Sequence, residues 1–221
     1  MILNVSRTCS NEIVYIESGC DTLKPTIYKR QLKFYRKLKV DCMNNPESPI
    51  SRLLNDALQS NTSFLRHYKK LDGTFTTPVK CFKHYQDIQK REAKEKILQK
   101  LSDDPDSILG TYARINPELQ SPAFYKEVSC HEVDRTIITR YRVGSHNLKI
   151  QNGRTSDVER VNRLCSCQND IQTIAHVLFD CPLTADLQRI PGIQDENLDT
   201  FFNGNDLIRI ATTLKTMEKM I

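Results

Sequence analysis

Apolar residues recur every three or four positions over most of this chain, a spacing that predicts a mainly α fold. The clearest helix starts near Pro25, a residue suited to a first helical turn. Ile27, Gln31, Phe34 and Leu38 fall on one face with Tyr28, Leu32 and Tyr35 beside them, and Lys29, Lys33, Arg36 and Lys37 fall opposite. Four later helix starts pair a capping side chain with proline: Ser48-Pro49, Thr77-Pro78, Asp104-Pro105 and Ser121-Pro122. They predict helices near 49–59, 78–101, 105–114 and 122–128. A further helix near 62–71 carries Phe64, Leu65, Tyr68 and Leu71 and ends at Asp72-Gly73. Another, about 131–142, brings Val133, Ile137, Ile138 and Tyr141 to a core and stops at Gly144. Helices near 195–202 and 205–220 close the chain, the last with Leu207, Ile210, Ala211 and Leu214 on one side.

Elsewhere the pattern weakens. Residues 1–24 show little periodicity, and Ile13-Val14-Tyr15-Ile16 fits a strand or a helical turn. The stretch from Asn147-Leu148-Lys149-Ile150 to Gly153-Arg154 reads as an irregular, turn-rich lead. Residues 89–96 are nearly all polar, so the helix containing them is expected to bridge two lobes through solvent. The expected organisation is a basic helical lobe over 1–74, a helical connector over 75–129, a knuckle domain over 130–191 and a helical tail over 192–221.

Composition narrows the class. The chain has 221 residues, 38% of them hydrophobic, with seven glycines and no tryptophan, which suits a soluble, helix-leaning protein with one good core or two small ones. No apolar run is long enough to cross a bilayer, and Met1-Ile2-Leu3-Asn4-Val5-Ser6-Arg7 lacks a signal-peptide core. The expected location is intracellular, in the nucleus, the cytoplasm or both. Charge is concentrated more than its net value of +5 suggests: residues 22–40 hold seven Lys/Arg and no acid.

Cysteine placement changes the picture most. Of eight cysteines, Cys9, Cys20, Cys42, Cys81 and Cys130 are scattered, while three gather in the order Cys165-Ser166-Cys167, eight residues, His176, four residues, Cys181-Pro182. That order suits one tetrahedral Zn²⁺ better than a disulfide framework. The plain alternative is buried free thiols beside a core histidine. Cys165-Ser166-Cys167 would form a tight turn presenting two thiolates, and a helix over 171–180 would carry His176. Five residues of ideal helix turn His176 and Cys181 roughly 140° apart. Pro182 relieves this by forcing Cys181 out of the helical region. Four protein ligands leave no place for a catalytic water, so the expected role is structural. Arg154, Arg160 and Arg163 would offset the charge of three thiolates.

These residues also resemble a known family. Cys165-x-Cys167 with His176-Val177-Leu178-Phe179-Asp180-Cys181-Pro182 is similar to the Cys/Cys/His/Cys zinc knuckle at the C-terminal end of non-LTR (LINE-type) retrotransposon reverse transcriptases. Arg140-Tyr141-Arg142-Val143-Gly144-Ser145-His146-Asn147-Leu148 resembles the R-x-R-x-G-x-H-x-L block that often precedes it. The resemblance covers roughly 131–190, with Cys-x-Cys here where many members have Cys-x2-Cys. It implies a non-catalytic segment that grips RNA or DNA, with the rest of a reverse transcriptase polyprotein as a further partner.

No Tyr-x-Asp-Asp motif occurs, and the forty residues after Cys181 are too few for an endonuclease domain. Neither enzymatic activity nor a small-molecule substrate is expected. Cys130-His131 lacks a third partner for nucleophilic catalysis, His146 is expected to cap or pack within its turn instead of binding metal, and no Gly-rich phosphate loop occurs. The candidate nucleic-acid contacts are Lys29, Lys33, Arg36 and Lys37 on the first helix, with Tyr28 and Tyr35 close by for stacking. A second basic cluster contains Arg135, Arg140, Arg142, Arg154, Arg160 and Arg163. The rival reading is a zinc-stabilised protein-interaction or scaffold domain whose basic helices only keep it soluble.

Overall fold

Ser48 and Thr77 start their helices as their sequence context predicts. In the computed structural model, which describes residues 9–20, 23–59, 63–126, 131–190, 193 and 197–221, Ser51 donates its backbone N–H to Ser48 Oγ at 3.1 Å. Lys80 does the same to Thr77 Oγ1 at 3.1 Å. The first five helices are α1 (Asn11–Ser18), α2 (Leu23–Asn44), α3 (Pro49–Gln59), α4 (Ser63–Thr74) and α5 (Pro78–Asp103). The fold is mainly helical; among the described residues the only β pairing is an isolated antiparallel bridge between Leu164 and Ile171. No helix among them is long and apolar enough to cross a membrane. The first residues of the chain, the Phe64 and Leu65 side chains, the end of the expected 122–128 helix and Cys130 lie outside what is described.

The chain divides into two compact units at places other than the expected ones. One is Cys20–Glu92; the other joins the described part of Met1–Gly19 to that of Ala93–Ile221. The boundary cuts α5 inside its polar stretch. Apolar burial explains why the weakly patterned N-terminus belongs with the later residues: Ile13 and Ile16 pack with Ala93, Ile97, Tyr112, Leu119 and Val143.

Within Cys20–Glu92, Leu32 of α2 is buried with Leu71 and Cys81, against Tyr28, Phe75 and Tyr85. Tyr35 stacks on Tyr68 at 5.7 Å between ring centroids. The buried face of α2 is therefore the Tyr28/Leu32/Tyr35 side. Ile27 and Phe34, expected at the core, are 46% and 59% exposed.

In the other unit, α6 (Ile108–Ile115) starts three residues later than expected. Its cap is Ser107, whose Oγ accepts from Gly110 N at 3.0 Å, and Asp104-Pro105 turn beneath it. A Cβ on Gly110 would lie 2.5 Å from the Asp104 carbonyl oxygen. Backbone cannot yield as a side-chain tip can, so Gly110→Ala is expected to cost about 1–3 kcal/mol, the range for overpacking, read as a lowered Tm. Ser121-Pro122 precede a 3-10 turn, Ala123–Lys126, where the described residues of the expected helix lie.

Next come α7 (Glu132–Arg142) and α8 (Lys149–Thr155), the latter replacing the expected irregular lead. Gly144 between them adopts φ +71°, which only glycine enters at no steric cost. The chain ends with α9 (Ala185–Gln188), α10 (Leu198–Phe202) and α11 (Leu207–Met220). Ile137, Ile138 and Tyr141 of α7 share one core with Ile210, Ala211, Leu214 and Met217 of α11. Val133 was expected in that core and stands exposed instead.

One polar network crosses this interior. The Arg142 and Glu17 side chains are both 0% exposed. Arg142 Nε donates to Glu17 Oε1 at 2.6 Å and Nη2 to Oε2 at 3.3 Å, while Nη1 reaches Phe202 O and Asn203 Oδ1, each at 3.2 Å. Tyr112 Oη donates to Glu17 Oε2 at 2.8 Å and accepts from Asn116 Nδ2 at 2.9 Å. One network thereby joins four segments distant in sequence, around Glu17, Tyr112, Arg142 and Phe202.

Candidate metal centre

A short backbone ladder shapes the first half of the site. Cys165 N donates to Asp170 O at 2.8 Å, and Gln172 N to Arg163 O at 3.0 Å. These bonds fold 165–170 into a hairpin-like turn, closed by Gln168 in the left-handed region at φ +63°. Cys165 and Cys167 thus stand on one side of a tight turn, as their spacing predicts.

The second half departs from the expected α-helix over 171–180. Helix begins at Ile174 and opens into a π turn, His176–Asp180. Thr173 Oγ1 caps it by accepting from His176 N at 3.1 Å. The defining bond runs from Cys181 N to His176 O at 2.8 Å, five residues back. An i→i+5 turn is wider than an α turn, so it brings residue 181 round beneath residue 176. Cys181 itself leaves the helical region at ψ 123°, as a residue before proline should. Pro182 therefore supplies part of the redirection and the π turn the rest.

Widening a helix disturbs its carbonyl pairing, and two side chains compensate. Thr184 Oγ1 donates to Val177 O at 2.5 Å and to Cys181 O at 3.2 Å, and Gln188 Nε2 donates to Cys181 O at 3.3 Å. Thr173, Thr184 and Gln188 were not among the residues singled out from sequence. Of the three, only Thr173 had a readable signal, a capping residue three positions before His176.

The result brings four donor atoms together. Cys165 Sγ and Cys181 Sγ are 3.6 Å apart, Cys167 Sγ and His176 Nε2 are 3.2 Å apart, and all four ligand atoms lie within 4.8 Å of one another. A tetrahedral ion with metal–sulfur bonds of about 2.3 Å would hold its sulfurs roughly 3.8 Å apart, so the cluster is close enough to bind one metal ion. The sulfur separation is far beyond a disulfide bond, and no disulfide forms among the described cysteines. Cys165, His176 and Cys181 are buried and Cys167 is half-buried. Burial pushes the Cys165 thiol up, whereas the Asn169 backbone N–H, followed by His176, lowers the Cys167 thiol to about 6. Val177 and Leu178 of the π turn, with Ile174 just before it, enter the core shared by α7 and α11, so the site is built into that unit's main core.

The expected nucleic-acid contacts fall into two groups. Lys29, Lys33 and Lys37 are exposed on α2, Lys29 with its Nζ 5.2 Å from the Phe82 ring centroid. Arg36 is drawn into its own unit: Nε pairs with Asp72 Oδ1 at 2.7 Å, Nη1 donates to Thr76 O at 2.8 Å and Nη2 to Phe75 O. In the arginine cluster, burial corrects the expectation for Arg142, which is held by Glu17 and cannot reach a surface phosphate. Arg163 braces α8 by donating to Val158 O at 2.8 Å and to Ile150 O at 3.3 Å. Arg154 donates to Gln151 Oε1 at 3.1 Å and to the Asp106 carbonyl, and Arg160 pairs with the Asp106 carboxylate. Arg140 donates to Ser145 O at 3.2 Å. Among the described residues, none of Arg154, Arg160 and Arg163 bonds a ligand sulfur, so their expected role at the thiolates is not a direct one.

His146 packs as expected. Its ring stacks on Tyr141 at 5.0 Å, and Nδ1 accepts from Leu148 N at 3.3 Å. No protein-family model matches the chain, and neither the curated proteins nor the solved structures contain a match to it.

Proposed function

We propose that this chain is a non-catalytic, zinc-stabilised nucleic-acid-binding segment, similar in role to the C-terminal part of a non-LTR retrotransposon reverse transcriptase. The metal reading draws on the donor set: three soft thiolates and one imidazole favour Zn²⁺ over the hard cations, and four protein ligands make a structural site. In that reading the ion fastens the π turn to the Cys165/Cys167 turn and takes no part in chemistry.

The observation that carries the nucleic-acid reading is the row Lys29, Lys33 and Lys37. They are spaced one turn apart on an exposed face of α2, and among the described residues none pairs with a carboxylate. A lysine row without acids suits a phosphate backbone. A filter-binding titration across salt concentrations tests it. The wild-type chain is expected to bind RNA or DNA at low salt with affinity falling steeply as salt rises. K29E/K33E/K37E is expected to flatten the log–log salt slope by roughly 2–3, near 0.7–0.9 per lost phosphate contact. Absence of any low-salt affinity in the wild type sinks the reading.

A second reading, a protein-interaction domain, has its own support. Leu23, Ile27 and Phe34 form an exposed apolar stripe on α2. Under that reading K29E/K33E/K37E leaves partner binding intact, while Phe34→Asp removes it.

A further inference from the structure

Away from the four metal ligands, a cavity of about 40 Å³ opens between α6, α7, α8 and the segment leading into the π turn. A single water needs roughly 10–15 Å³, so there is space for several water-sized atoms but none for a nucleotide base. Its lining includes Thr111, Arg114, Arg142, His146, Arg154 and Thr173. Glu17 matches the charge of Arg142. The other carboxylate in the lining, Asp106, already accepts from Arg114 at 3.1 Å and pairs with Arg160. Arg154 donates instead to the Asp106 backbone carbonyl, so three guanidinium groups stand against the two carboxylates Asp106 and Asp104 and leave the cavity positive.

The buried histidine gives this excess a direction. His146 is 5% exposed, and its Nδ1 is occupied as an acceptor. The neutral ring therefore carries its proton on Nε2, which has no acceptor among the described residues. Burial first, then Arg154 and Arg140, push His146 down to about 3, so it is a neutral donor at physiological pH. Thr111 and Thr173 add hydroxyl groups able to donate.

We propose that this cavity binds one phosphate group, held by Arg154 and Arg114, the His146 Nε2–H and the two threonine hydroxyls. Planar guanidinium groups and neutral donors around a small positive hollow suit a tetrahedral oxyanion. The group is either free phosphate or the terminal phosphate of a nucleic-acid strand. The proposal does not rest on the lysine row, which belongs to the other unit.

The test uses the full metal-loaded chain titrated with inorganic phosphate at constant ionic strength, chloride serving as the control. The readout is the NMR signals of the His146 ring and the Arg154 Nε–H. The expected result is a saturable shift of both with phosphate and none with chloride. Arg154→Gln is expected to weaken binding at least about tenfold, as loss of a charged hydrogen-bond partner should. Arg154 also holds the Asp106 carbonyl, so the near-isosteric Thr111→Val serves as a second variant and should weaken binding with the wild-type Tm retained. No saturable shift at His146 in the wild type overturns the proposal, as does a shift that both variants leave unchanged. A 5′-phosphorylated oligonucleotide that shifts His146 where its 5′-hydroxyl twin does not identifies a strand end as the source. A shift with inorganic phosphate alone identifies the free ion. Phosphate binding without any oligonucleotide affinity upholds the cavity and defeats only the lysine-row reading.

Discussion

On the proposed zinc reading, Cys181→Ser is expected to lower bound zinc from one equivalent to less than a tenth and to remove the cooperative thermal transition of the unit that joins Ala93–Ile221 to the described part of Met1–Gly19. Structural zinc contributes on the order of 10–16 kcal/mol in small zinc-finger peptides, which rivals the roughly 5–15 kcal/mol holding a whole domain together. Here the effect extends beyond a detached knuckle. Cys181 ends the π turn that carries Val177 and Leu178 into the core with Ile210 and Leu214. Losing even about 4 kcal/mol lowers Tm by roughly 10 °C in a domain of this size. Chelation of the wild type should reproduce the loss, and Cys81→Ser, at a cysteine buried in the other unit, should leave the zinc content unchanged. Elemental analysis beside calorimetry checks both. A fully retained transition in zinc-free protein rules out a structural metal.

That Cys165, Cys167, His176 and Cys181 come together was legible because cysteine and histidine spacing is the usual sign of a metal-binding group. Helices with local start signals were legible too, since Ser48 and Thr77 lie within three residues of the N–H groups they cap. What was hidden depends on tertiary contacts. Helix α8 is seven residues long and contains Gly153, so propensity alone argues against it. It is held from outside: Lys149 N donates to Gln172 Oε1 at 2.8 Å, and Gly153 leaves room for Arg163, which would otherwise meet a Cβ at 2.6 Å. The π turn is invisible to any 3.6-residue pattern, because its hydrogen bonds reach five residues back instead of four. Residues 11–18 looked unpatterned because their burial serves a core built mostly after residue 93. In the R-x-R-x-G-x-H-x-L block, Arg142, Gly144, His146 and Leu148 all serve architecture: a buried ion pair, a left-handed turn, a stacked ring and a buried N-cap. An arginine among arginines reads as surface until its partner, 125 residues away, is seen.

That pair gives the second large effect. Arg142→Met is expected to destabilise the chain by about 3–5 kcal/mol, because it leaves the Glu17 carboxylate buried without its cation. Tyr112 Oη still donates to Glu17 but cannot neutralise it, and the Phe202 carbonyl loses its donor as well. The double variant Glu17→Leu with Arg142→Met should recover much of the loss, since buried pairs replaced by apolar groups of similar volume are often neutral or better. Recovery should be incomplete, because Tyr112 Oη would lose its acceptor, and a buried unsatisfied polar group costs about 1–3 kcal/mol. Urea unfolding of the wild type, both single variants and the double gives the coupling energy. A coupling below about 0.5 kcal/mol, the scatter expected of independent sites, would mean that Glu17 and Arg142 do not act as a pair. A large coupling would explain the arginine at position 142 by its buried carboxylate, with no nucleic acid required.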